Sequence, residues 1–279
     1  MRIFKHLLAF VLVAVITSSL FSQSKNEGEE DLSYGGMEIP GYISVNASLT
    51  TGSIKGKYAL NTFVLNGQAN DYMLPELDVE VGIIDRLSLE FNTGYRKIVS
   101  NATLTGPKGK RSLQVNKTSD GLNAIMLGAN VGLLSEHKFR PAMYWQNQFY
   151  LPKTGHPNFQ NEQLGYYSTL NMENTFSEVT YLDYSVGTGW DGNSPYPVLN
   201  LNLNPNFNAS DYVTIYFDLG GNFSRGEAPV NLIDIGTTVT VSDLFSIDAM
   251  LGNQLQTNNF SKTVYAALKF TFDFKAFGK

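Results

Sequence analysis

The segment TVYAALKFTFDF, Thr263 to Phe274, decides how the rest of the chain is read. Val264, Ala266, Leu268, Phe270, Phe272 and Phe274 alternate with Tyr265, Ala267, Lys269, Thr271 and Asp273. A period of two predicts a β-strand with one apolar and one polar face. Three phenylalanines end the apolar face, the pattern of a terminal strand that closes a bacterial outer-membrane barrel against its first strand. An amphipathic strand of a soluble sandwich would alternate in the same way, so the remaining strands have to decide.

They repeat the pattern. Ile43, Val45, Ala47 and Leu49 alternate with polar residues, and so do Leu77, Val79, Val81 and Ile83. The turn Ile84-Asp85-Arg86 leads into Leu87, Leu89, Phe91, Thr93 and Tyr95, a spacing that permits only an antiparallel hairpin. Further alternating faces run through Ile125–Leu133, Met143–Leu151, Leu182–Trp190, Leu199–Phe207, Val213–Phe223, Ile233–Val241 and Phe245–Leu251. Tyr166 to Phe176 alternates poorly and is the weakest of the expected strands. Residues 50–76 read as a polar, Gly-containing link.

The connections sort into two classes. Those around Asp85, Glu136, Glu178, Asp211 and Asp243 are short. Those around 98–120, 152–165, 190–198, 224–230 and 253–262 are longer and richer in Gly, Pro, Asn or Lys. Strict alternation of the two is the layout of an outer-membrane barrel with short periplasmic turns and longer outer loops. The expected fold is therefore all-β: a single antiparallel transmembrane barrel of about twelve strands. A strand of about ten residues tilted near 40° rises roughly 25 Å, the height of the apolar band of such barrels. Tyr95, Phe149, Trp190 and Phe223 near the outer loops, and Phe207, Phe245 and Phe274 near the short turns, would supply the two aromatic girdles.

Composition agrees. The chain has 279 residues, of which 16% are charged, with 25 Gly, 15 Tyr, 18 Phe and no Cys. Without cysteine there is no disulfide framework, thiolate metal site, cysteine nucleophile or lipoprotein anchor. Arg2, Lys5 and His6 precede the apolar run Leu7 to Ile16, which is too short to span a bilayer as a helix. Residues 1–22 read as a signal peptide for export, with cleavage after Ser22. Its removal takes away Arg2 and Lys5 and no acid, which moves the formal net charge from -5 to -7. Residues 23–40 read as a flexible acidic periplasmic lead-in, 41–274 as the barrel and 275–279 as a C-terminal tail.

Leu74 to Tyr95, LPELDVEVGIIDRLSLEFNTGY, pairs two strands across an Asp-Arg-Leu turn. With Ser119 to Gly155, Asp211 to Gly226 and Val241 to Gly252, it resembles the outer-membrane β-barrel family named for the meta-pathway of phenol degradation, a family of transporters. The resemblance spans roughly Ile43 to Phe274 and rests on strand-and-turn grammar. It implies a barrel fold, an outer-membrane location and transport. It transfers no site residues and does not identify phenols as solutes.

No enzyme chemistry is legible. His137 falls in a short turn, and His156 falls in a loop without a nucleophile setting. The acids lack calcium-loop spacing, so no metal or cofactor is expected, and nothing suggests a nucleic-acid partner. Strand phase assigns nine acids to the inward face: Asp78, Glu80, Glu90, Glu173, Asp183, Asp218, Asp234, Asp248 and Asp273. Arg96 and Lys269 are the inward bases. A hydrated lumen of this sign would repel anions and concentrate cations or polar neutral solutes.

The expected function is passive transport of small polar or cationic solutes across the outer membrane of a Gram-negative bacterium. A structural or adhesive barrel with a plugged lumen and a soluble exported β-sandwich are the alternatives. Expected partners are membrane lipid, lipopolysaccharide and, through the C-terminal strand, the barrel-insertion machinery. The segment Lys97 to Asp120 carries Lys97, Lys108, Lys110, Arg111 and Lys117 against one acid. Lys108, Lys110 and Arg111 are the candidate contacts to lipopolysaccharide phosphates.

Overall fold

The computed structural model describes residues 42–60, 63–105, 112–137, 140–226, 229–256 and 262–275. The signal-peptide and lead-in assignments, the tail beyond Lys275, and Lys108, Lys110 and Arg111 all lie outside the described residues. The described chain is all strand and turn. The strands are β1 (Tyr42–Leu60), β2 (Phe63–Ile84), β3 (Leu87–Thr105), β4 (Ser112–Leu122), β5 (Met126–Leu134), β6 (Ala142–Tyr150), β7 (Gly165–Thr175) and β8 (Thr180–Trp190). They continue as β9 (Val198–Ser210), β10 (Val213–Ser224), β11 (Val230–Ser242), β12 (Phe245–Gln256) and β13 (Lys262–Lys275).

Each strand pairs antiparallel with its neighbours, and β1 pairs with β13 from Tyr42↔Lys275 to Lys55↔Lys262, so the sheet closes on itself. β4 and β5 occupy one position in the circle. β3 pairs with β5 along Leu87–Asn92 and with β4 along Tyr95–Thr105. The barrel therefore has twelve positions, one of them filled by a strand interrupted at Asn123-Ala124-Ile125. Following ladder partners once around from Lys55 returns to β1 displaced by about fourteen residues, the stagger that goes with a strand tilt of roughly 40°.

Two stretches differ from the sequence reading. Residues 50–60 and 63–76 are paired strand, not a link, because β1 runs on to Leu60 and β2 starts at Phe63. Lys97 to Asp120 is chiefly the β3–β4 hairpin, whose strands pair from Tyr95↔Leu122 to Thr105↔Ser112. These strands outrun the 9-residue β5 and β6. Above the barrel rim no face has to be apolar, so the alternation that marks the lower strands fades.

The two faces of the sheet differ in kind. Leu77, Leu89, Phe91, Phe149, Leu203, Phe217, Ile235, Leu251 and Phe272 are among the large apolar side chains that lie exposed on the outside. Phe245 stacks on Phe272 with ring centroids 4.8 Å apart at the short-turn end of this belt. Among the described residues the buried polar ones are Ser44, Ser88, Glu90, Asn130, Asn206 and Asp234. Hydrogen bonds that skip a strand show which side is concave. The Tyr216 hydroxyl on β10 reaches Asp248 on β12 at 3.0 Å, and the Tyr265 hydroxyl on β13 reaches Asp234 on β11 at 2.5 Å.

Glycine makes those reaches possible. Gly236 lies beneath the Tyr216 ring, Gly252 beneath Tyr265 and Asp234, and Gly189 beneath Tyr167. A Cβ at any of them would collide with the ring above it. The tyrosines consequently lie flat along the inner wall instead of standing into the lumen. Gly236→Val is expected to lower stability by about 1–3 kcal/mol through this overpacking. Urea unfolding in detergent micelles measures it, and Tyr216→Ala in the same chain should restore part of the loss.

Candidate functional site: the barrel lumen and its outer mouth

The concave wall is built from rows of ladder partners, each row holding one inward residue per strand. On the β1–β3 side, Asp78 stands opposite Asn46 and Asn92, and Glu80 stands opposite Ser44 and Glu90. Like charges directly across a ladder repel, and here each side chain has donors of its own. Glu80 accepts from Ser88 and, at 2.7 Å, from Asn130 Nδ2. Glu90, 7% exposed, leans over Gly128 in the same sense around the barrel and accepts from Gln146 and Gln148 at 3.1 Å. Asp273 accepts from Ser44 Oγ at 2.8 Å, next to the barrel seam.

On the far wall Glu173 and Asp183 face each other across β7 and β8, and Asp183 accepts from Asn206 Nδ2 at 2.8 Å. Asp218 and Asp234 are direct partners across β10 and β11. Asp248 accepts from Thr238 at 2.8 Å as well as from Tyr216. Lys269 stands opposite Asp248 on one side and Ser48 on the other, and it is exposed towards the lumen. The nine acids thus share the concave face, spread over three sectors and not gathered in one cluster. Glu80, Glu90, Asp183, Asp234, Asp248 and Asp273 each accept from neutral amide or hydroxyl donors, the satisfaction that a buried polar group needs.

Strand phase missed two acids. Glu76 accepts from Asn92 Nδ2 at 3.2 Å and from Ser48 Oγ at 3.4 Å. Asp71 forms a two-pronged ion pair with Arg96, with Nε at 3.0 Å and Nη2 at 2.5 Å. An irregularity between Met73 and Glu76 inserts one residue into β2, so the inward set changes from even to odd numbers. Asp71 is inward for that reason, and no single-strand phase argument could place it.

Arg96 belongs to the outer mouth. Its guanidinium also lies over the ring of Phe159, 5.6 Å from the centroid. Phe159 sits in the loop 151–164 between β6 and β7, which folds inward against the β4–β5 interruption. There it supplies partners that a continuous strand would have supplied: Thr154 Oγ1 accepts from Ile125 N at 2.9 Å, Leu151 N donates to Ile125 O, and His156 N donates to Leu122 O. The same loop joins the next one, with Glu162 N donating to Asn193 Oδ1 at 2.9 Å. Loop 191–197 is then tied to the turn after β10 by Arg225, 5.4 Å from the Tyr196 centroid.

Partial burial works against ionisation of Asp191 in this second loop. Hydrogen bonds from the backbone of Ser194 and Asn193 and from the Ser194 hydroxyl outweigh it and hold the carboxyl below the usual carboxylate range. The sign follows: the loop gains stability above the unfolded-state pKa, near 4, and loses it as the pH falls through the lower folded value. Limited proteolysis of the loop should quicken under those acidic conditions, whereas Asp191→Asn should be equally susceptible at both ends of that range.

Tyr265→Phe removes the hydroxyl that serves Asp234, a residue 5% exposed. The expected loss is about 1.5–3 kcal/mol, the worth of a hydrogen bond to a charged group. The same change should cost little in an Asp234→Asn background, as measured by a double-mutant cycle on urea midpoints.

No protein-family model matches the sequence, and no curated protein matches it. Solved structures do share the fold. One is an outer membrane channel from Pseudomonas putida F1, at 14% identity, with 90% of this chain and 100% of that chain covered and a TM-score of 0.58. Another is the transport unit of the autotransporter AIDA-I from Escherichia coli, at 8% identity, with 94% and 97% covered and a TM-score of 0.60. At such identities the likeness is one of architecture: the chain has the fold of an outer-membrane β-barrel.

Proposed function

We propose that the chain is an outer-membrane channel that passes small polar or cationic solutes passively, without a catalytic step. The observation that carries this reading is the inner wall. It is polar and acidic, and glycine recesses let its tyrosines lie against the wall of a twelve-position barrel. The apolar belt outside suits a lipid surround. The similarity in fold to an outer membrane channel and to an autotransporter's transport unit supports the location and the absence of enzyme chemistry. The likeness in strand-and-turn grammar to the phenol meta-pathway family agrees with transport.

An acidic wall attracts cations and raises their concentration in the pore. Planar-bilayer recording of the refolded barrel should therefore show cation over anion preference. Asp78→Asn with Glu80→Gln should reduce the cation-to-anion permeability ratio by roughly twofold. Silence from well-folded protein at every voltage would favour a plugged structural barrel. Anion preference would leave a pore standing and overturn the role of the acidic wall.

A further inference from the structure

We propose that the loop 151–164 is the size filter of the pathway, with Phe159 as its projecting wall and Arg96 as the clamp that holds it. The inference rests on the channel reading and deepens it. Three observations lead to it.

First, the loop is on the lumen side of the mouth. Arg96 and Met73 share the inward face as ladder partners, and the loop meets that row on its Arg96 side. Phe159 lies over Arg96. His156 packs against Gly121, the inward partner of Arg96 on β4, where a Cβ would collide with the imidazole. Asn123 Nδ2 meets Met73 Sδ at 2.8 Å in the same place.

Second, the loop is fixed there and is not a flap. Its backbone takes hydrogen bonds left open by the interruption between β4 and β5. Thr154 Oγ1 caps the loop internally, donating to Leu151 O at 2.7 Å. Gly155, with φ of 86°, nests against the carbonyl of Asn123 in a left-handed conformation that a side chain would strain. Lys153 N donates to Asn161 O at 2.8 Å, which draws the two limbs of the loop together.

Third, the guanidinium is itself immobilised. Asp71 engages two of its nitrogens, so the plane presented to Phe159 is set by the ion pair. Arg96 is thereby spent on holding a ring in place and offers little net charge to a solute. The consequence is a mouth that sorts by width, set above a wall that sorts by charge.

The test uses the full-length barrel refolded in detergent and reconstituted. Phe159→Ala and Arg96→Gln should each raise single-channel conductance about twofold and admit larger neutral sugars in liposome swelling. Phe159→Leu should change both less. The chain has no cysteine, so Phe159→Cys is a unique thiol, and a bulky thiol reagent should block its current while leaving wild type untouched. A conducting wild type whose conductance, sugar cut-off and thiol block are all unmoved by these changes overturns the filter and leaves the channel reading intact. Conduction by Phe159→Ala alone supports a filter that is closed at rest. Silence from wild type and every folded variant overturns the channel reading and the filter with it.

Discussion

A sheet that lies in hydrocarbon has no water to satisfy its edges, so every backbone N–H and C=O must find a partner within the chain. The seam between β1 and β13 meets this demand. It also fixes the geometry of everything inside. Once the first and last strands pair in a set register, stagger and tilt follow, and with them which residues share a row of the inner wall. Within a hairpin the register is local, as where Glu173 meets Asp183 and Asp218 meets Asp234, and closure sets how these hairpins stand against one another.

Closure inverts the ordinary distribution of polarity. Leu251 is 63% exposed, whereas Ser88 is fully buried. Lipid removes the cost of exposing Leu251, and the hydrogen bond from Ser88 to Glu80 offsets the cost of burying the hydroxyl. The interior then has to solve a different problem, how to hold carboxylates side by side in a confined space. The chain spaces them with amides and hydroxyls: Asn130, Gln146 and Gln148 for the first sector, Asn206 for the second, and Tyr216, Thr238 and Tyr265 for the third. Several of these donors reach over a glycine from two strands away. The glycines are therefore part of the electrostatics, because without them the donors could not lie down.

Much of this was legible in the alternation alone. From β9 to β13 each strand carries a lipid demand on one face and a lumen demand on the other, and period two reports both. Strand number and the sorting of turn lengths followed from the same signal. What stayed hidden needed partners to be seen. The pairing of Gly236 with Tyr216 depends on register between strands, which no single strand records. Asp71 lay in the stretch that reads as a link, and carrying the phase of Leu77–Ile83 upward would have turned it outward, because one inserted residue near Leu74-Pro75 reverses the phase above it. The hairpins above the rim escaped notice because neither face there answers to a core or a membrane. The interruption between β4 and β5 looked like an ordinary loop boundary, since its meaning lies in the segment that fills it.

That interruption links barrel construction to permeation. Leu151 N on Ile125 O continues the β5–β6 register, and beyond that pair the loop leaves the ladder. The three-residue break presents the Ile125 amide and the Leu122 carbonyl at the rim. The loop takes them, and its far limb is then carried over β3 to Arg96. The same backbone groups that would otherwise extend the wall upward are redirected to narrow the opening. Width at the mouth and charge in the wall thus come from separate parts of the chain, so either can change without disturbing the hydrogen-bonded circle that supports both.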